Sequence, residues 1–128
     1  MRNHYLQQSV NTASPARLVT MLYDRLLLAI DRTTNALDSV DASAADRSVA
    51  HDELVRAQRI VHELRVSLDL EQGGEIAANL SSLYEWSHEQ LVLVNTSKDP
   101  RALAGVRKVI DELRTAWRDG VELAQAPA

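Results

Sequence analysis

Leu103, Val106, Ile110, Leu113, Trp117 and Gly120 follow one another at spacings of 3, 4, 3, 4 and 3 residues. Steps that alternate between three and four keep all of these positions on one stripe of an α-helix, and Ala124 continues the register. A strand alternates its side chains every two residues and would scatter the same residues over both faces. A lone helix cannot bury such a stripe, so the rest of the chain must supply partners for it.

Three further stretches show the same periodicity. Leu18, Val19, Leu22, Leu26, Ala29, Ile30 and Leu37 form the first. Leu54, Ala57, Val61, Leu64 and Leu68, widened by Ile60, form the second. Ile76, Leu80, Leu83, Ser87, Leu91 and Val94 form the third. Ser14-Pro15 and Asp99-Pro100 are helix starts, a capping oxygen followed by a proline at the first helical position. Gly73-Gly74 is a helix stop, and Asp41 to Asp46 is a connection.

These signals predict helices over 14–40, 46–70, 75–97 and 99–124, a polar N-terminal arm over 1–13 and a frayed tail over 125–128. Short connections make sequential helices antiparallel. The expected fold is therefore all-α: an antiparallel up-down-up-down four-helix bundle with a mobile N-terminal arm. A chain of 128 residues fits one such domain.

Composition narrows the function. With no cysteine, disulfides, thiolate metal sites and cysteine nucleophiles all fall away. A net charge of −4 with scattered arginines is not the footprint of a nucleic-acid binder. The longest apolar run, Leu26 to Ile30, is too short for membrane insertion, and Met1 to Tyr5 carries no apolar signal stretch. The expected location is the cytoplasm.

Two helices carry more apolar residues than a bundle core needs. Met21, Leu22 and Leu26 to Ile30 wrap most of the first helix, and Leu91-Val92-Leu93-Val94 does the same in the third. Deep burial is one explanation. An apolar groove for another helix is the second, and the arm could cover such a groove. Self-association through the first-helix strip, giving a weak homodimer, is a third.

No constellation argues for an enzyme, a metal or a cofactor. Glu85-x-x-His88 is half of a di-iron carboxylate motif, and no other histidine has a glutamate at that spacing. His62-Glu63-Leu64-Arg65-Val66-Ser67 invites comparison with histidine phosphotransfer bundles, and phosphotransfer through His62 is the alternative function. Val66 stands where that motif has a small residue, and a half-buried His62 beside Val61 would accept phosphate poorly.

Taken in order, the residues resemble the FliS family of flagellin export chaperones over nearly the whole chain. Tyr5 with Val10-x-Thr12-Ala13-Ser14-Pro15 looks like that family's opening, and Leu18-Val19-x-Met21-Leu22-Tyr23 like its first helix. Ile60-Val61-x-Glu63-Leu64, then Leu68-Asp69, then Gly73-Gly74-Glu75-Ile76-Ala77-x-Asn79-Leu80-x-x-Leu83-Tyr84 is the most specific part. Asn95 and Leu113-Arg114-x-Ala116-Trp117 complete it, while the absence of phenylalanine departs from the family only in packing detail.

The resemblance implies a cytoplasmic chaperone for flagellar type III export. It would bind the disordered C-terminal segment of flagellin, prevent premature polymerisation and help present the subunit to the flagellar export gate, with no cofactor and no covalent chemistry. It implies that Tyr5 packs on the bundle and yields to flagellin. The groove residues expected on this basis are Ala57, Ile60, Leu64 and Leu68 of the second helix and Ile76, Leu80 and Leu83 of the third. Tyr23 and Tyr84 are expected to be structural, with hydroxyls that reach a partner or water.

Overall fold

The structure, a computed structural model, describes residues 14–38 and 41–125, and side chains as far as residue 120. The arm with Tyr5, and residues 126–128 of the tail, lie outside the described residues. The described residues form four α-helices: α1 (Pro15–Leu37), α2 (Ala44–Val66), α3 (Leu70–Ser97) and α4 (Leu103–Gln125). A 3-10 turn over Pro100–Ala102 leads into α4.

Side chains between helices fix the topology. Moving along α4 from Arg107 to Arg114 moves the ion-pair partner on α1 backward, from Asp31 to Asp24. Moving along α2 from His51 to Arg65 moves the partner on α3 backward, from Asn95 to Ser81. Both pairs of helices are thus antiparallel. α1 packs against α2 and α4, and α3 closes the ring against α2 and, with the slightest contact, against α4.

The core is aliphatic. Leu26, Ile30, Leu54, Leu64, Leu91, Leu103 and Ile110 are its largest fully buried side chains. They come from all four helices and from the predicted stripes. Among the described residues, the polar Thr33 and Ser87 share this interior. Each hydroxyl donates to the carbonyl one turn back, Thr33 to Ala29 and Ser87 to Leu83, both at 2.8 Å. Neither leaves an unmet donor in the core.

The starts of the helices follow local chemistry. Ser14 Oγ accepts from the Arg17 amide at 3.1 Å. At the start of α2, Ser43 Oγ accepts from the Asp46 amide at 3.1 Å, and the Asp46 carboxylate accepts in return from the Ser43 amide at 3.0 Å. These bonds hold the Asp46 carboxyl below its ordinary pKa, with the Ser43 amide the larger cause. Because the folded value is the lower one, the box stabilises α2 above the ordinary carboxylate range, near pH 3.9, and is lost as pH falls through the depressed value. An NMR titration of the Asp46 carboxyl should show that low midpoint, and the first turn of α2 should fray over the same acid range.

The α2–α3 corner differs from the sequence expectation. α2 ends at Val66, not at residue 70, and a short turn from Leu70 precedes the unbroken run of α3, which starts after Gly74 as the glycine pair predicts. The reason is Asp69. Its extended backbone, φ −95° and ψ 96°, cannot continue α2, and its carboxylate caps a new turn by accepting from the amides of Glu71 and Gln72. That turn breaks at Gly74, where φ is 54° and ψ −131°, and the helix then resumes. An L-side chain is strained in that backbone region. Gly74→Ala should therefore cost about 1–3 kcal/mol, read as a lower midpoint in thermal denaturation, although a methyl group there would meet no neighbour within 4 Å.

Candidate functional site

A groove of about 590 Å3 opens between the first turns of α1, the end of α2 and the start of α3. Leu18, Val19 and Leu22 of α1 form one wall. Leu64 and Leu68 lie opposite, followed by Ile76, Ala77 and Leu80 of α3. Tyr23 and Tyr84 lie at its floor, both buried, and Trp117 reaches in from α4. The indole N–H of Trp117 donates to the Ala16 carbonyl at 3.1 Å, which ties α4 to the first turn of α1 and fixes this end of the groove.

The lining is apolar apart from a rim that includes Glu63, Ser67 and Asp69. At the mouth, Ile76 is 75% exposed. Val66 and Leu70, at the end of α2 and the start of α3, are exposed as well. A large aliphatic side chain at such exposure carries no benefit for the folded monomer, and one that continues an apolar groove marks an interaction surface.

The structure divides the residues expected in the groove. Leu64, Leu68, Ile76 and Leu80 come together there. Ala57 and Ile60 do not: they are 1% and 7% exposed and belong to the core cluster, because α2 turns that face toward the bundle axis. What Ile60 does line is a separate, mostly polar depression of about 580 Å3 on α2, between Arg56, Arg59 and Glu63. Leu83 is half-buried and is not among the groove residues.

The apolar excess of α1 resolves in the same way. Leu26, Ala29 and Ile30 are core, Leu22 lines the groove, and Leu27 packs against the core from outside. Only Leu28 of that strip is exposed, which leaves little for self-association. On α3, Leu91 and Val94 are core, while Val92 and Leu93 are exposed away from the groove. Sequence reasoning missed Leu18, Val19 and Trp117 as groove residues, although the surplus of apolar residues on α1 pointed to that helix; Trp117 stood on the α4 stripe among core positions.

The candidate chemistry is placed too. His62 is exposed, not half-buried as expected, and lines a cavity of about 110 Å3 with Val61, Arg65, Tyr84 and His88. Glu85 approaches Arg65 at 3.6 Å. Among the described residues no three metal-ligating side chains cluster, and no helix is long and apolar enough to cross a membrane. The Tyr23 and Tyr84 hydroxyls lie 2.6 Å apart, and burial pushes both phenols above their ordinary pKa.

Comparison with known proteins gives this groove a context. A family model described as flagellar protein FliS matches residues 1–124. The flagellar secretion chaperone FliS of Bacillus subtilis is 30% identical over 118 residues, covering 92% of this chain and 84% of that protein. That of Salmonella typhimurium is 32% identical over 114 residues, covering 88% and 81%. A crystal structure of a flagellar chaperone from bacteria superposes with a TM-score of 0.74, covering 94% of each chain, at 18% identity. The fold is therefore shared with that structure, and none of these relatives points to phosphotransfer through His62. By the match of its sequence from residue 1 to 124, the chain belongs to the FliS family of flagellar proteins.

Proposed function

We propose that this chain is a cytoplasmic flagellar secretion chaperone that seats an amphipathic helix from the C-terminal segment of flagellin in the groove between α1, α2 and α3. The observation that carries the reading is the groove itself. It is apolar, lies on a member of this family, and is continued at its mouth by an Ile76 that the monomer leaves 75% exposed. An amphipathic helix laid into such a groove buries side chains at spacings of three and four residues. Tyr5 of the arm, Ala57, Ile60 and Leu83 contribute in this reading by covering or supporting the groove, whereas Leu64, Leu68, Ile76 and Leu80 touch the ligand.

Holding that segment in the groove removes it from polymerisation and keeps it ready for the flagellar export gate. No covalent step is involved. The segment is disordered when free, so ordering it consumes about 2–5 kcal/mol of the interaction energy. The remaining contacts must therefore be extensive, and the heat capacity change on binding must be negative.

The test is a titration of the protein with a peptide of the last ~40 residues of flagellin from the same genome, enough for several helical turns and a connecting segment. Calorimetry should show one-to-one binding, and circular dichroism should show a gain of helix beyond the sum of the parts. A folded bundle that binds without any gain of helix, or does not bind at all, would overturn the reading.

A further inference from the structure

The pair of tyrosines at the groove floor has one more proton than it can use. Each phenol carries one O–H donor and can also accept. Burial raises both pKa values, so both hydroxyls stay protonated at neutral pH. The 2.6 Å contact between Tyr23 and Tyr84 uses one of the two protons. Whichever hydroxyl donates, one O–H is left over. Neither has a hydrogen bond to any other described residue, including His62 and His88 in the second cavity that Tyr84 lines.

In an open groove, water can meet a leftover donor. A helix seated over it displaces that water. If the helix is wholly apolar at this point, an O–H is sealed in without a partner, among side chains only 4% and 2% exposed. If the helix places an oxygen there, the donor is met. A site built around such a donor discriminates more sharply against a ligand lacking the acceptor than any change of apolar shape would.

We propose that the Tyr23–Tyr84 hydroxyl pair sets the groove's specificity by requiring a hydrogen-bond acceptor, an amide or hydroxyl oxygen, within the apolar face of the bound helix. The inference rests on the flagellin reading for the identity of the ligand. It does not rest on it for the chemistry of the pair, and the two are tested apart.

The first arm uses two small probes of equal shape, acetophenone and α-methylstyrene, which differ only by C=O against C=CH2. Their binding to the full chain is followed by NMR shifts of groove methyl groups. The wild type should favour acetophenone by about tenfold, the scale of one unmet buried donor. Tyr23→Phe and Tyr84→Phe should each keep the preference, because each still leaves one free O–H. The double variant, which removes bond and leftover proton together and so keeps the fold, should lose it. A structural role alone would not produce that pattern of two retentions and one loss.

The second arm uses the flagellin peptide, with each Asn, Gln, Ser and Thr replaced in turn by an apolar residue of similar size. One position should weaken binding to wild type by about tenfold and leave binding to the double variant unchanged. If the peptide fails to bind but the probes discriminate, the flagellin reading falls and the hydroxyl chemistry stands. If the peptide binds but no position behaves in this way, the proposal is overturned while the chaperone reading survives. Equal affinity of wild type for the two probes overturns the proposal, and so does a groove that takes neither probe nor peptide.

Discussion

Ile60→Asp should abolish cooperative folding of the bundle, or lower its thermal midpoint by about 15 °C or more. Ile60 is 7% exposed and packed within the core cluster. Truncating a buried isoleucine costs about 2–5 kcal/mol. A carboxylate in its place adds the cost of desolvating a charge. The total is a large share of the roughly 5–15 kcal/mol that holds a domain of this kind together. Arg56 and Arg59 line the depression that Ile60 also borders, and could reduce the cost by meeting the new carboxylate at the surface. Ile60→Ala removes that escape and should still lose about 2–4 kcal/mol. Both variants are read by circular dichroism on heating. A melt like that of wild type for both would mean that Ile60 is not part of the core.

That one residue shows why the site was only partly legible. Periodicity gives the face of a helix, and Ile60, Leu64 and Leu68 fall on adjoining strips of one face of the helix predicted over 46–70. It does not give the distance to the next helix. Before the last turn of α2 the neighbours close over Ala57 and Ile60. At its end the chain turns at Asp69, α3 starts with a broken turn, and the wider gap becomes a groove over Leu68. Leu64 is 2% exposed and yet lines the groove, so it belongs to both.

The fold itself was easier to read because its signals are local. Ser14-Pro15 and Asp99-Pro100 act within one turn, and the spacing of Leu103, Val106 and Ile110 decides burial within one helix. At the α2–α3 corner the extra turn before the glycines escaped because two local signals compete. The glycine pair looked like the stop, while Asp69, four residues before it in the predicted second helix, had already capped the next turn. Gly73 is then needed for a different reason: a Cβ there would come 2.5 Å from that of Ala77. The α1 wall of the groove escaped because a surplus of apolar residues says that something is covered without saying by what.

Ile76→Asp should do the opposite of Ile60→Asp: leave the bundle intact and remove the ligand. Ile76 is 75% exposed, so the substitution takes little from the core, and stability should stay within about 0.5 kcal/mol of wild type. In the complex the same side chain would be covered by the bound helix. Burying an isoleucine contributes about 1.5–3 kcal/mol, so its loss alone weakens binding by about tenfold to a hundredfold, and sealing a carboxylate against an apolar helix adds to that. Trp117 supplies an optical readout because it lines the groove, whereas Trp86 packs over Gly105 on α4. In a Trp86→Phe background, the flagellin peptide should shift Trp117 emission in the otherwise wild-type protein and fail to do so at the same concentration after Ile76→Asp. Wild-type affinity in the Ile76→Asp variant would place the ligand elsewhere on the bundle. Loss of binding together with loss of fold would show that Ile76 supports the structure, which its exposure argues against. Only binding lost on a wild-type melt separates a docking surface from a core, and Ile60 and Ile76, sixteen residues apart across the α2–α3 corner, should fall on opposite sides of that division.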